Sequence, residues 1–399
     1  MHKIYSKALD AHISVGRIID EIKGNKPGPT LIFTGGVHGN EPSGIFALER
    51  VMREIRNQNT PVNGSIHAIS GNLWALERGE RFHKQDLNRL WRGETLKKLE
   101  NGTLTEENHD ITQQKEIHGV IQNILKTEEG PFYFMDLHTT SSDTIPFLTV
   151  NDSLLNRRYA EQYPVPMILG IEEYLDGPLL SYINELGYVA FGYEAGQHDD
   201  LSSIENHIAF IYLTLVFTGA VKKEDIDFAH YYNTLAKTTV HSRGIFEIYH
   251  RHEIKEGEVF TMHPGYCNFQ WVNKGQPLAF SNGVEITANK KGRIFMPLYQ
   301  NQGNDGFFAV RKISPIFLKI SAVLRRFRAD RLLTWLPGIS WASDKKDALI
   351  VNRKVARLMA KQFFHLMGYR SKRIDKNHLI VKNREASSRT KDYSIVNWK

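Results

Sequence analysis

Gly35-Gly36-Val37-His38-Gly39-Asn40-Glu41-Pro42-Ser43-Gly44 follows a run of β-favouring residues, Leu31, Ile32, Phe33 and Thr34, which Gly28 and Pro29 introduce. Such a run predicts a strand, and Pro42 suits the first turn of a helix, where its missing N–H goes unmissed. A strand breaking into a helix is the point at which open α/β sheets place their ligands. His38 and Glu41 are both competent zinc ligands, and His-x-x-Glu can bring them to one point. Alone, such a pair is more often a hydrogen-bonded surface contact.

Working outward, Gly44 to Ile55 carries Ile45, Leu48, Val51, Met52 and Ile55 at helical spacing, and Ser65 to Ser70 reads as a second strand. Gly71 to Gly93 is polar and arginine-rich, a long loop of the kind that carries function. A helix is expected over Ile111 to Lys126. A strand over Pro131 to Leu137 ends in Asp136-Leu137-His138-Thr139-Thr140, and another over Gly187 to Tyr193 ends in Glu194-Ala195-Gly196-Gln197. A helix follows from about Ile204 to Ala220. Strands alternating with helices imply an α/β fold, a mostly parallel sheet covered on both faces.

Beyond Lys222 closely spaced glycines punctuate short β-favouring runs, which predicts a small barrel or sandwich. From Ser314 the pattern turns basic and helical, most clearly over Leu349 to Met367, and the polar stretch Asn383 to Lys399 is expected to fray. The expected units are therefore residues 1–222, 223–313 and 314–399.

The 399 residues hold 51 lysines and arginines against 44 acids, a net charge of +7, but from Arg311 onward the count is 22 against 6. The chain is an acidic body with a basic tail, so the tail is the part suited to a polyanion or an anionic membrane. At 41% hydrophobic and 24% charged, the composition is that of a globular protein. Met1 to Lys23 lacks the apolar core of a signal peptide. The longest apolar run, Ile208 to Val221, is interrupted by Thr214, Thr218 and Gly219 and reads as a buried helix; no transmembrane segment is expected. A single cysteine, Cys267, excludes an internal disulfide framework and suits a cytoplasmic location.

Three strand ends thus present chemistry: His38 with Glu41, His138, and Glu194. His38, Glu41 and His138 make the His₂Glu set of a catalytic zinc site, two ligands close in sequence and the third on another strand. Asp136 lies two residues before His138, so in a regular strand both point to one face; it either orients the imidazole or caps a helix. Glu194 is the carboxylate suited to take a proton from the attacking water and return it to a leaving amine, unless it serves as a helix cap. The segment Arg81-Phe82-His83-Lys84-Gln85-Asp86-Leu87-Asn88-Arg89 offers arginines that can clamp a carboxylate or polarise a carbonyl, or is a solvated basic loop.

Gly36-x-His38-Gly39-Asn40-Glu41, Gly71-Asn72, Arg81, Asp86-Leu87-Asn88-Arg89, Asp136-Leu137-His138-Thr139 and Glu194-Ala195-Gly196 stand in the order and approximate spacing of the succinylglutamate desuccinylase/aspartoacylase family, relatives of the zinc carboxypeptidases. The resemblance runs from about residue 10 to about residue 310. It implies a zinc-carboxypeptidase-like domain followed by a β-rich domain closing over the site, with one zinc ion per subunit on His38, Glu41 and His138. It further implies that Arg81 polarises the scissile carbonyl, that Asn88 and Arg89 bind a substrate carboxylate, and that Glu194 is general base and acid. Tyr299, near Met296-Pro297-Leu298, is expected close to the site. Aspartoacylases carry a further arginine shortly before the catalytic glutamate, gripping a second carboxylate, and Ile183 to Tyr193 holds none.

The expected activity is hydrolysis of the amide bond of an N-acyl amino acid or a related small carboxylate-bearing amide. The alternatives are a zinc carboxypeptidase acting on peptides, and an anionic-polymer or membrane-surface binding protein acting through the tail. No nucleic-acid motif is present, and homo-oligomerisation is left open. His250, His252 and His263 are expected to face solvent rather than to build a second metal site.

Overall fold

The computed structural model describes residues 1–240, 242–352, 354, 361–373 and 378–394. A hairpin of β1 (His2–Ser6) and β2 (Ala11–Val15) precedes the strands of the main sheet: β3 (Ile18–Lys23), β4 (Lys26–Gly35), β5 (Asn63–Ser70), β6 (Phe132–Thr140), β7 (Phe147–Val150), β8 (Met167–Leu169) and β9 (Val189–Gln197). They lie in the order β3-β5-β4-β6-β9-β7-β8. The pairs β4–β5, β4–β6, β6–β9 and β7–β8 are parallel; β3–β5 and β7–β9 are antiparallel. The expectation of a mixed, mostly parallel sheet flanked by helices holds.

Alternation along the central strands explains why both faces are covered. Leu31 and Phe33 of β4 and Tyr133, Met135 and Leu137 of β6 enter one core with the helices Ser43–Asn57 and Leu201–Phe217. Ile32 and Phe134 point the other way, against Ile117, Ile121 and Ile124 of the helix His109–Thr127. A parallel strand buried on both faces has no polar side to present, and all nine residues of β6 are buried.

The sheet does not stop at residue 222. β10 (Ile245–Glu253) adds in parallel to β8, and β12 (Trp271–Val272), β15 (Gly292–Phe295) and β16 (Asp305–Lys312) extend it to eleven strands. A core of Phe147 and Ile168 with Phe246, Phe295 and Phe308 crosses the same join. Three further strands, β11 (Phe260–Met262), β13 (Pro277–Ser281) and β14 (Val284–Thr287), make a separate small sheet.

The last part of the chain differs from the helical expectation. After the helix Pro315–Arg326 come β17 (Ile339–Trp341), β18 (Ala348–Asn352), β19 (Tyr369–Arg373) and β20 (His378–Asn383), an antiparallel sheet in the order β17-β18-β20-β19. Leu349 and Val351 are buried in that sheet, with Ile350 on its other side. A short apolar run fits a strand as well as a helix, and here cross-strand partners decide. The described helix covers only Lys361–Leu366; Val355, Leu358 and Met359, which carried the helical reading, lie outside the described residues.

As far as Ser394, the expected fraying beyond Asn383 is also corrected; residues 395–399 lie outside the described residues. Tyr393 is buried in the largest core of the main sheet, where its hydroxyl accepts from Val189 N–H (2.9 Å) and donates to the Phe132 carbonyl. Arg325 is equally deep: its guanidinium meets both carboxylate oxygens of Asp152 (3.1 and 3.0 Å) and Glu385 Oε1 at 3.2 Å. No helix among the described residues is long and apolar enough to cross a membrane.

Candidate active site

β4, β6 and β9 end side by side, with Gly35 opposite Leu137 and His138 opposite Glu194. Gly36 turns the chain off β4 in a left-handed conformation (φ +66°), which a residue with a Cβ adopts only with strain. Gly39 passes so near Ala75 and Glu80 that an added Cβ would sit 2.1 Å from a backbone carbon. These glycines let the loop fold back and aim His38 and Glu41 at the end of β6.

The side chains then form an alternating chain of carboxylates and imidazoles. Asp136 Oδ2 lies 2.7 Å from His138 Nε2, and His138 Nδ1 lies 3.0 Å from Glu41 Oε2. Glu41 Oε1 is 2.9 Å from His38 Nδ1, and His38 Nε2 is 3.0 Å from Asp86 Oδ1. Arg81 closes the far end, 3.2 Å from Glu41 Oε1 and 3.4 Å from Asp86 Oδ2. Each imidazole therefore presents Nδ1 inward and leans on an aspartate through Nε2. Thr34 holds Asp136 from behind, its hydroxyl donating at 2.6 Å.

These contacts set the charges. Burial alone would push Glu41 up, but His38 and His138 hold it well below the usual carboxylate range. Asp86 is likewise buried yet held low by His38, Arg81 and Arg89. Burial works against a charged His138, and Asp136 with Glu41 overcomes it and raises the imidazole. Glu194 goes the other way. Burial, reinforced by Glu41 and Asp136 and opposed by His138 and Arg81, pushes it up to about 8. Its Oε2 is buried with no hydrogen-bond partner among the described residues. Asp200, not Glu194, caps the following helix.

Ligand atoms of His38, Glu41 and His138 all lie within 4.8 Å of one another, and all three residues are buried. Two nitrogens and a carboxylate, each imidazole backed by an aspartate, fit the donor set of a catalytic zinc site. A second cluster, Glu21, His67 and Glu128, is partly exposed, and His250, His252 and His263 join no such group among the described residues. His252 and His263 instead lie 3.2 Å from Glu258 and 3.5 Å from Glu285.

Asn88 and Arg89 line the same crevice as the three donors, Arg81 and Glu194. Asn88 Oδ1 accepts from Leu179 N–H (3.0 Å), and Arg89 pairs with Asp305 at 3.0 Å. Tyr299 stands apart from the crevice: its hydroxyl donates to the His263 carbonyl (2.7 Å) and accepts from Tyr266 N–H (2.9 Å). Met296, Leu298 and Gln300 from the same segment do line it. Sequence reasoning missed the role of Asp86, the acid Asp305, and His198, which lies 2.8 Å from Thr139 Oγ1 and 3.1 Å from Gln300 Oε1.

Comparison with known proteins points to one family. The succinylglutamate desuccinylase/aspartoacylase catalytic domain model matches residues 27–211. Succinylglutamate desuccinylase of Pseudomonas paraeruginosa (strain DSM 24068 / PA7) is 31% identical over 112 residues, 28% of this chain and 31% of that protein. The match thus spans under a third of that curated relative. The structure of succinylglutamate desuccinylase from Vibrio cholerae superposes with a TM-score of 0.54 at 13% identity, covering 78% of this chain and 90% of that one. A product-bound ectoine utilization protein from Ruegeria pomeroyi gives 0.51 at 19% identity, covering 74% and 88%. At such identities these two share the fold.

Proposed function

This chain belongs to the succinylglutamate desuccinylase/aspartoacylase family, with residues 27–211 matching its catalytic domain, and on that premise we propose that it is a zinc-dependent deacylase. The substrate is an N-acyl amino acid or a related small amide bearing a carboxylate. The observation that carries this reading is Glu194, a buried carboxyl with an unpartnered oxygen in the crevice that also holds the donors of His38, Glu41 and His138.

His38, Glu41 and His138 would hold one zinc ion per subunit, and the ion when bound supplies a Lewis acid for the carbonyl and lowers the pKa of water. Asp136 and Asp86 fix which nitrogen of each imidazole faces inward. Glu194 takes the proton of the attacking water and delivers it to the departing amine nitrogen. A group whose affinity for protons is near neutrality does both well. Arg81, fixed by Asp86 and Glu41, donates to the oxygen that gains charge as the carbonyl carbon becomes tetrahedral. Asn88 and Arg89 bind the substrate carboxylate and so set which bond faces Glu194.

The test is a substrate panel on zinc-loaded protein: N-acyl amino acids, short peptides, and N-acyl amines without a carboxylate. Hydrolysis confined to the first group is expected. Preference for peptides would replace the deacylase by a carboxypeptidase, and equal turnover of amides without a carboxylate would remove the clamp assigned to Asn88 and Arg89.

A further inference from the structure

The helix Pro315–Arg326 carries apolar side chains on both of its sides. Inward, Leu318 and Leu324 pack against the cores, Ser321 donates to the Leu366 carbonyl (2.8 Å), and Arg325 makes the ion pair with Asp152. Its outer side carries Ile316 (68% exposed), Ile320, Val323 (54%) and Phe327 (77%), which recur at helical spacing and form one stripe. Leu332 and Trp335 (82%) in the turn Ala329–Trp335 add to the exposed apolar surface. A helix in water buries its apolar stripe; here Leu318, Leu324, the ion pair and the hydrogen bond fasten one side to the protein, and a second apolar stripe is left outward.

The charges around the stripe are of one sign. Lys319, Arg326, Arg328 and Arg331 are all exposed, whereas Asp330 is buried and taken up by the Tyr369 hydroxyl at 2.7 Å. A second copy packed stripe to stripe would bring like charges together. A nucleic acid could stack on Phe327 and Trp335, but along the helix it would meet Ile316, Ile320 and Val323, aliphatic side chains that do not stack on bases. An apolar stripe flanked by cations matches the boundary between acyl chains and anionic headgroups. We propose that the Pro315–Arg326 helix and the turn after it form a docking surface that lays this protein on an anionic lipid bilayer.

The surface is independent of the catalytic reading. The test uses the full chain and vesicles of phosphatidylcholine with and without phosphatidylglycerol, with co-sedimentation as readout. Binding to the anionic vesicles is expected, with partition falling about fivefold for each of Arg326→Gln and Arg328→Gln. The pair Phe327→Ser and Trp335→Ser should abolish binding while leaving the melting temperature unchanged, because both side chains are exposed. Three results would overturn the proposal: no binding to anionic vesicles at low salt, binding retained by the serine pair, or a concentration-dependent dimer in sedimentation velocity that the serine pair dissolves. The last would assign the stripe to a second copy.

Discussion

Replacing Glu194 by glutamine separates two consequences of burying one carboxyl. Glutamine keeps the shape and the oxygen but cannot take a proton, so loss of the general base should lower kcat/KM by about 10²–10⁴ at unchanged zinc content. Stability should move the other way in the metal-free protein. The carboxyl sits at about 8 in the fold against 4.5 unperturbed. A carboxyl raised on folding favours the native state only while protonated, so the cost begins as pH rises through 4.5 and is complete above about 8. At pH 7 that cost is ~3 kcal/mol. Chelator-treated Glu194→Gln protein should therefore unfold at higher urea than wild type at neutral pH, with the difference closing below about pH 4.5. Full activity in the variant would refute the assignment of the base. Equal metal-free stability at neutral pH would refute the account of a carboxyl held against its burial.

Asp136→Asn removes the charge behind His138 and should weaken zinc about 10–100-fold, measured by competition with a chromogenic chelator. Arg325→Ala removes a buried guanidinium from Asp152, which keeps Arg157, and from Glu385, which keeps the Leu154 amide, and should destabilise the protein by ~1–3 kcal/mol in urea unfolding. Glu258, held at about 2 by Lys255 N–H, the Ser281 hydroxyl and His252, gains from being ionised in the fold. Its contribution is present above 4.5 and lost as pH falls toward 2, so Glu258→Gln should destabilise at neutral pH and converge with wild type in acid melts.

Much of the site was legible because strand ends announce themselves. Glycines after an apolar run marked His38 and Glu41, while the two-residue parity of a strand offered Asp136 either behind His138 or as a helix cap, and the structure has it 2.7 Å from His138. What sequence does not carry is distance through space. Asp86 belongs to His38 across 48 residues, and Asp305 to Arg89 across 216. The arginine-rich loop read as a substrate clamp is thereby already engaged in ion pairs. The C-terminal sheet was hidden for another reason: Leu349 to Val351 satisfies both periodicities, and only β17 and β20 on either side decide between them.

Tyr393 reaches 204 residues back to receive the Val189 amide, at the start of the strand that carries Glu194. A ribosome adding roughly 5–20 residues per second needs ~10–40 s to travel that distance. Through that interval the lower edge of β6 and β9 stands open, their first peptide groups served by water, while the upper edge with its histidines and glutamates can already form. The nascent chain thus has a period in which this edge of the sheet is unsealed, and a pause late in the message would lengthen it.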